Sequence, residues 1–190
     1  RYFIDPWQAV PEQGYTAMFE HMLANPLIEV RLSTPMGAHV CLDWQQKRIL
    51  LDGVPFAGPL VYTGMLDQLI PEDHYGLPYR SLRFEHCHLP QAQFQPVTTV
   101  NYPNEEAYTR ITEFKHLTGQ QHPGTSIVYE YPCAYVPRQG LEPYYPLFTD
   151  VAKQNYQACR DELAQFPQLI ALGRLAEYRY FDMDDAVSNA

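Results

Sequence analysis

The middle block of the chain, residues 79–131, consists of short β-rich segments separated by turn residues. Aromatic and β-branched residues fill the segments, and Pro, Asn, Gly and Gln fill the gaps between them. Consecutive strands of an antiparallel sheet have this pattern. We predict four such strands, at residues 81–85, 97–101, 108–114 and 125–131. The block is therefore expected to fold as a sheet whose strands are neighbours in sequence.

Both flanks of this block alternate between helical and strand patterns. Helical spacing of apolar residues predicts helices at residues 15–23 and 150–166, and a last helix that begins near Asp182. Strands are predicted at residues 27–32, 39–44, 48–51, 60–62 and 169–172, with a short helix at 65–70 and a chain break at Pro55 and Gly58. The inward positions predicted for the 150–166 helix are Val151, Tyr156, Cys159, Leu163 and Phe166. The two styles predict a mixed α/β fold in which one domain is inserted into another.

The charge balance argues against two classes of partner. The chain of 190 residues has 13 basic and 22 acidic residues, which gives a formal net charge of −9. Such a chain gains nothing from long-range attraction to nucleic acid or to anionic membranes. No apolar run is long enough to span a bilayer. Four widely spaced cysteines without a CxxC pair suit reduced thiols in a cytosolic protein.

Two polar clusters resemble metal sites, but the pattern favours ordinary roles for them. His86 and His88 share one face of a predicted strand, while Cys87 points to the other face, and no second cluster completes a site. The acidic residues near position 182 lack the spacing and the glycine of an EF-hand. Carboxylates at a helix start are stabilised by the helix dipole. We therefore predict no metal site and two surface histidines on a strand.

Arginine and tyrosine recur together in three segments, at residues 108–110, 142–146 and 173–182. Arginine binds phosphate through paired, charge-assisted hydrogen bonds, and tyrosine hydroxyls can complete such a site. The same residue types are also common in strands and interfaces. On the residues alone, the clusters indicate an anion or nucleotide site and leave ordinary strand roles open.

Five segments, in this order and spacing, resemble bacterial UDP-galactopyranose mutases: Val61-Tyr62-Thr63-Gly64, Tyr79-Arg80-Ser81-Leu82-Arg83-Phe84-Glu85, Tyr108-Thr109-Arg110-Ile111, Glu142-Pro143-Tyr144-Tyr145-Pro146 and Gly173-Arg174-Leu175-Ala176-Glu177-Tyr178. The resemblance covers essentially the whole chain. It implies part of a Rossmann-like FAD-binding domain with an inserted antiparallel β-sheet domain. Residues 1–78 and 148–190 would belong to the flavin domain, and residues 79–147 would form the sheet domain.

The resemblance also implies an activity. Enzymes of this family interconvert UDP-galactopyranose and UDP-galactofuranose through an adduct at N5 of reduced FAD, without net redox change, and so supply galactofuranose for cell-surface glycans. The protein supplies binding, alignment and charge stabilisation. UDP-galactose would be the substrate, the bacterial cytoplasm the location, and a homodimer a possible assembly of the full-length protein.

Family roles are carried over where residues match. Arg110 resembles the arginine that holds the diphosphate and steadies the leaving UDP. Tyr145 and Tyr180 resemble the tyrosines whose hydroxyls touch the same diphosphate, with Tyr144 as the alternative to Tyr145. Asn101 and Arg80 resemble substrate-pocket residues. Asp182 resembles a residue at the edge between substrate and flavin, and the other residues expected at the cofactor are Thr63, Gly64, Arg174 and Met183.

The sequence departs from the family pattern in ways that limit what this chain is expected to do alone. The GxGxxG turn that grips the FAD pyrophosphate is absent from the 190 residues. We therefore expect this chain to be the C-terminal half of a longer enzyme and to be inactive by itself. Two alternatives stay open: a non-catalytic nucleotide-sugar-binding or interaction module of the same fold, and an amine-oxidase-like FAD oxidoreductase. The paired tyrosines together with Arg110 argue against the second, since a diphosphate substrate would need them and an amine would not.

Overall fold

The computed structural model describes residues 9–71, 75–137 and 139–190. They form two compact units, one from the described residues within 1–33 and 84–131 and the other from those within 34–83 and 132–190. In chain order the elements are α1 (Gly14–Met22), a 3-10 helix (Met36–Ala38), β1 (Val40–Asp43), β2 (Arg48–Leu51), β3 (Val54–Phe56), β4 (Leu60–Tyr62), a second 3-10 helix (Leu66–Leu69), β5 (Tyr79–Leu89), β6 (Thr99–Asn101), β7 (Arg110–Glu113), α2 (Lys115–Thr118), β8 (Thr125–Ala134), β9 (Tyr145–Pro146), α3 (Asp150–Leu163), β10 (Leu169–Ala171), α4 (Gly173–Ala176) and α5 (Met183–Asn189).

The first unit is organised around antiparallel strands β6, β7 and β8. Residues directly opposite each other in such a sheet share a face, and faces alternate along each strand. One face buries Ile111 and Ile127. The other face places Arg110 between Asn101 on β6 and Glu130 on β8. The strand register therefore fixes which side chains surround Arg110.

A buried carboxylate anchors the turn that leads into β6. Glu113 accepts hydrogen bonds from the backbone N–H groups of Phe94 (3.0 Å) and Gln95 (2.9 Å), and from the Thr125 hydroxyl (2.6 Å). The His116 ring nitrogen lies 3.2 Å from the same carboxylate. Burial alone would raise the pKa of Glu113, but these hydrogen bonds outweigh it and lower the pKa to about 2. The ionised carboxylate thus replaces backbone partners that this turn lacks.

The second unit contains the largest buried core of the described residues. Strands β1, β2 and β3 form an antiparallel meander, while β4 and β10 pair in parallel. Helix α3 begins after Thr149, whose hydroxyl accepts the Ala152 N–H (3.1 Å) and so caps the helix. The helix buries one face, through Ala152, Cys159 and Leu163, in the same core as the second 3-10 helix.

Most predicted elements are confirmed, with shifts of a few residues. The antiparallel middle block, the strands at β1, β2, β4 and β10, and the helices α1, α3 and α5 are present. The predicted strand at residues 27–32 is wrong: the Asn25 side chain accepts the Leu27 N–H and the Asn25 carbonyl accepts the Ile28 N–H, which is a local turn. Its alternating apolar residues are exposed.

Two details of the second unit also differ from prediction. Val151 does not face inward, because it is 65% exposed, and Ala152 takes the buried position instead. The predicted chain break at Pro55 lies inside β3, where it faces Leu50. Strand β3 is at the edge of its three-stranded sheet, and an edge strand tolerates the missing N–H of proline. Among the described residues no helix is long and apolar enough to cross a membrane.

Candidate functional site

The first candidate group, which we call the Arg110 row, consists of Asn101, Arg110 and Glu130 on three neighbouring strands. Arg110 Nε donates to Asn101 Oδ1 at 3.1 Å, and Arg110 Nη1 lies 3.5 Å from Glu130 Oε2. The Arg110 side chain keeps 44% of its surface exposed, whereas Glu130 keeps only 12%. Two neighbours therefore orient the guanidinium while part of it stays open to solvent. A guanidinium held in this way is suited to binding an anion in a fixed orientation.

The second candidate group, which we call the Arg174 cluster, lies in the second unit. The rings of Tyr145 and Tyr180 are nearly parallel, with centroids 5.7 Å apart and an interplanar angle of 9°. Arg174 Cζ lies 5.3 Å from the Tyr145 centroid and 4.7 Å from the Tyr180 centroid, within the range of cation–π attraction. The guanidinium thus holds two tyrosines side by side.

Backbone carbonyls use most of the donors of Arg174. Its Nε donates to the Phe181 carbonyl at 2.9 Å, Nη2 contacts the same carbonyl, and Nη1 donates to the Tyr144 carbonyl at 3.4 Å. Asp182 Oδ1 lies 3.8 Å from Nη2. Arg174 therefore joins the segment around β9 to the segment that precedes α5, and its charge is balanced locally by Asp182.

Local structure explains how these side chains meet. Tyr145 is opposite Arg80 in the β5–β9 pair, and the Tyr144 N–H donates to the Arg80 carbonyl at 3.0 Å. Tyr178 has a φ of 49°, a left-handed conformation that is costly for a tyrosine. Its hydroxyl lies 2.7 Å from the Pro78 carbonyl oxygen and 2.9 Å from the Leu147 carbonyl oxygen, so its one proton is shared between them. These bonds hold the chain reversal that brings the next residues back toward β9.

The Tyr180 hydroxyl remains a neutral donor near neutral pH. Burial and the nearby Asp182 carboxylate raise the pKa of Tyr180, although Arg174 opposes them. A neutral phenol can donate one hydrogen bond to an anionic oxygen. The Arg174 cluster therefore offers two oriented hydroxyls beside a cation whose own donors are largely used.

Three of the residues predicted at the cofactor, Thr63, Gly64 and Arg174, follow the carboxyl ends of two parallel strands, whereas Asp182 and Met183 lie at the start of α5. The Leu172 N–H donates to the Tyr62 carbonyl at 3.0 Å, which places the Thr63–Gly64 turn beside the turn at Gly173. A Cβ atom on Gly64 would lie 2.5 Å from the Tyr62 hydroxyl, so this turn requires glycine. In open α/β sheets, ligands bind in the crevice at such strand ends. These residues fit one edge of a flavin site.

The structure groups the predicted residues as follows. It brings Asn101 to Arg110 in the first unit, and it brings Tyr144, Tyr145, Arg174, Tyr180 and Asp182 together in the second, with Arg80 opposite Tyr145. Met183 is the first residue of α5 and is exposed.

Sequence reasoning missed three contributors: Glu130, Tyr178 and the Phe181 carbonyl. Glu130 could be placed opposite Arg110 only after the strand register was known. The role of the Phe181 carbonyl depends on backbone geometry that no residue type reveals. For Tyr178, the preceding Gly173-Arg174 motif marked the segment, but the positive φ was not readable.

The two histidines considered as metal ligands have other contacts. The His86 ring stacks with Phe114 at 6.4 Å and 13°, and His88 Nδ1 lies 3.1 Å from the Ser126 hydroxyl. In the described part of the chain, no three or more His, Cys, Asp or Glu side chains are grouped so that they could hold a metal ion.

Comparison with known proteins identifies relatives along the whole chain. The family model for UDP-galactopyranose mutase matches residues 1–180. A UDP-galactopyranose mutase from Mycoplasma genitalium is 35% identical over 185 residues, which is 95% of this chain and 45% of the relative. A dTDP-fucopyranose mutase from Escherichia coli is 26% identical over 190 residues, covering 100% of this chain and 48% of the relative. The chain thus spans about half the length of these curated relatives.

A solved structure supports the same fold. The crystal structure of a reduced UDP-galactopyranose mutase superposes with a TM-score of 0.54, at 15% identity, and covers 75% of this chain and 41% of that protein. At this identity the likeness concerns the fold alone, and it agrees with the predicted mixed α/β class. Together with the family model, which matches nearly the full length, it leads to one conclusion. The chain belongs to the UDP-galactopyranose mutase family.

Proposed function

We propose that the protein to which this chain belongs interconverts the pyranose and furanose forms of UDP-galactose. The observation that carries the proposal is the Arg110 row, an oriented and partly exposed guanidinium in a chain that matches the mutase family model over residues 1–180. An acidic chain needs a local cation to bind a diphosphate, and this row provides one. The product would serve galactofuranose-containing surface glycans.

In this proposal Arg110 binds the diphosphate of the substrate and stabilises the charge that develops on UDP as the sugar–phosphate bond breaks. Asn101 orients the guanidinium by accepting from Nε at 3.1 Å. A preorganised cation lowers the barrier because it does not have to reorient during the reaction. Arg80, opposite Tyr145, is assigned to the substrate pocket.

Tyr145 and Tyr180 are proposed to donate hydrogen bonds to a diphosphate, with Tyr144 as the alternative to Tyr145. The raised pKa of Tyr180 keeps its hydroxyl protonated, and in this proposal the proton that it shares with Asp182 is donated to the diphosphate instead. Arg174 keeps the two rings in register, and Asp182 balances the charge of Arg174 at 3.8 Å. The cluster would therefore position the ligand rather than bind it through a free cation.

The residues proposed to hold FAD are Thr63, Gly64, Arg174, Asp182 and Met183. Thr63 and Gly64 stand at the carboxyl end of β4, next to the Gly173 turn. Reduced FAD, when bound, supplies the nucleophile for exchange at the sugar carbon. The contribution of this chain is a closely packed turn at Gly64, where the Tyr62 side chain occupies the space that a Cβ would take.

Three further assignments belong to the proposal. Residues 79–147 form the substrate-binding sheet domain, and residues 1–78 and 148–190 belong to the flavin domain. The enzyme acts in the cytoplasm of a bacterium, and the full-length protein is a possible homodimer. By itself, the 190-residue chain is expected to lack activity.

A second nucleotide sugar is a specific alternative substrate, because one relative, 26% identical over 190 residues, is a dTDP-fucopyranose mutase. The Arg110 row and the Arg174 cluster are proposed to contact the diphosphate, which both nucleotide sugars contain. The sugar and base must therefore be distinguished by other contacts.

The test is a mutase assay on a family-length protein that carries this chain. Purified protein is incubated with FAD, dithionite and either UDP-galactopyranose or dTDP-fucopyranose, and the products are separated by chromatography. We expect UDP-galactofuranose to form, with less product from the dTDP-sugar and none with oxidised FAD. Absence of furanose product from both sugars, with folded protein, would overturn the proposed function.

A further inference from the structure

Tyr178 occupies a backbone position that ordinarily favours glycine. Helix α4 ends in two backbone hydrogen bonds, from the Tyr178 N–H to the Leu175 carbonyl (3.2 Å) and from the Arg179 N–H to the Arg174 carbonyl (3.1 Å). These two bonds form a Schellman motif, in which the residue after the C-cap is left-handed and is usually glycine. Here that residue is a tyrosine with a φ of 49°. The cost of this conformation must therefore be offset by contacts of the side chain.

The Tyr178 ring is buried among other aromatic rings of the second unit, and only 4% of the residue is exposed. It stacks on Tyr156, with centroids 5.5 Å apart and an interplanar angle of 24°. It also meets Tyr79 (5.4 Å) and Phe148 (6.0 Å) edge to face, at 81° and 74°. Aromatic pairs in these arrangements stabilise a core. The packing therefore fixes the direction in which the Tyr178 hydroxyl points.

The Tyr178 hydroxyl joins two segments that are distant in sequence. It lies 2.7 Å from the Pro78 carbonyl oxygen and 2.9 Å from the Leu147 carbonyl oxygen. The Leu147 N–H donates to the same Pro78 carbonyl at 3.0 Å, so the three residues form one buried junction. Burial raises the pKa of Tyr178, which keeps the proton on the hydroxyl. A phenolate could not donate and would repel both carbonyl oxygens.

The segments that meet at this junction carry three residues of the proposed substrate site: Arg80 two positions after Pro78, Tyr145 two positions before Leu147, and Tyr180 two positions after Tyr178. The Tyr145 and Tyr180 rings are stacked, but Tyr180 is 53% exposed. An exposed ring pair has few neighbours to hold its alignment. The alignment of the two tyrosines is therefore expected to depend on the buried junction.

We propose that Tyr178 is a positioning residue for the diphosphate site: its buried hydroxyl sets the spacing of Tyr145 and Tyr180, so that both phenols reach one diphosphate. The inference rests on the proposed function, because it takes these two hydroxyls as ligand contacts. Tyr178 is buried and acts through them. Glycine would suit the backbone conformation but would remove the junction. Phenylalanine would keep the ring and remove the hydroxyl alone.

The first experiment compares Tyr178→Phe with Tyr156→Phe in a family-length protein that carries this chain. Tyr156→Phe is the matched control, because the Tyr156 hydroxyl donates to the Ala176 carbonyl at 3.3 Å and so joins α3 to α4 without reaching β5 or β9. Calorimetric titration with UDP and a melting curve are recorded for each. We expect Tyr178→Phe to bind UDP about ten-fold more weakly and Tyr156→Phe to stay within about two-fold of wild type. Both variants should melt at a somewhat lower temperature.

A second measurement needs no ligand, so it separates failure of this inference from failure of the proposed function. The tyrosine at position 180 is replaced by 3-fluorotyrosine, whose fluorine-19 chemical shift reports its ring contacts with Tyr145 and Arg174. Tyr178→Phe should move this shift toward that of the free amino acid, whereas Tyr156→Phe should leave it in place.

An unchanged fluorine-19 shift in Tyr178→Phe would overturn the inference. So would a UDP affinity of Tyr178→Phe equal to that of wild type or of Tyr156→Phe. An unfolded Tyr178→Phe protein would also overturn it, because the hydroxyl would then be needed for folding instead of positioning. Absence of UDP binding by the folded wild-type protein would overturn the proposed function and, with it, the ligand role assigned here.

Discussion

Arg110 and Arg174 belong to two different candidate groups, and their surroundings differ. Arg110 is 44% exposed and is oriented by two side chains, Asn101 and Glu130. Arg174 is 30% exposed, lies over two tyrosine rings and donates to the carbonyls of Phe181 and Tyr144. The Arg110 guanidinium is oriented by neighbouring side chains, whereas most of the donors of the Arg174 guanidinium bond to backbone carbonyls.

This difference suggests different roles: Arg110 is suited to binding a ligand, and Arg174 is suited to holding the local backbone. A guanidinium with open donors can exchange water for phosphate oxygens, whereas one bonded to carbonyls would leave those carbonyls unpaired if it moved. We therefore expect changes at Arg110 to affect ligand affinity with little effect on stability. Changes at Arg174 should lower stability first and affect ligands through Tyr145 and Tyr180.

The largest expected effect is on catalysis by Arg110→Ala in a family-length protein that carries this chain. Loss of two charge-assisted hydrogen bonds to a diphosphate should lower kcat/KM by about 100-fold, or roughly 3 kcal/mol. The melting temperature should change little, because the 44% exposed guanidinium is screened by solvent and its ion pair contributes about 0–1 kcal/mol. Steady-state kinetics with UDP-galactopyranose checks this, with Arg110→Lys as the control expected to retain intermediate activity. An unchanged kcat/KM for Arg110→Ala would contradict the ligand-binding role that distinguishes Arg110 from Arg174.

The second effect is on stability, by Arg174→Leu. The substitution removes two cation–π contacts and leaves the Phe181 and Tyr144 carbonyls without their guanidinium partner. The free energy of unfolding should fall by about 2 kcal/mol. Urea denaturation of the chain measures this, with Arg179→Leu as the control at an exposed position five residues away. A fall of the same size in Arg110→Leu would show that the two arginines do not differ as described.

The fold was more predictable than the site. Alternation of β-rich segments with turns indicated the middle sheet, and helical spacing indicated α3, because both depend on local patterns. The strand predicted at residues 27–32 failed because alternation alone does not provide a partner strand. Asn101, Arg110, Tyr145 and Tyr180 were singled out through the family resemblance. Their neighbours Glu130 and the Phe181 carbonyl depend on register and backbone geometry, which residue types do not reveal.

A smaller, pH-dependent effect is expected from Glu113→Gln, which tests the sheet that carries Arg110 without touching Arg110. The folded pKa of Glu113 is about 2, below its ordinary value of 4.5. Its stabilisation is therefore complete above about pH 5 and is lost as the pH falls from 4.5 toward 2. The stability difference between wild type and Glu113→Gln should shrink over that interval. Chemical denaturation at several pH values measures it, and a difference independent of pH would contradict the assignment.

The smallest expected effect is from Glu130→Gln. This substitution removes the carboxylate charge beside Arg110 and so leaves more of the guanidinium charge available to an anion. The carboxylate lies 3.5 Å from Arg110 Nη1 and competes with an anion for the guanidinium. Removing its charge should tighten UDP binding by about two- to five-fold, in line with an ion pair worth about 0.5–1 kcal/mol. Titration at low and high salt measures this, and weaker binding would mean that Glu130 supports the anion site instead of competing with it.

The measurement that tests the central claim most directly is calorimetric titration of UDP into wild-type, Arg110→Ala and Arg174→Leu forms of a family-length protein, with a melting curve of each. The account predicts that Arg110→Ala loses at least about ten-fold in UDP affinity at an unchanged melting temperature, while Arg174→Leu melts several degrees lower. Wild-type affinity for UDP in folded Arg110→Ala would contradict the claim that the Arg110 row binds the diphosphate.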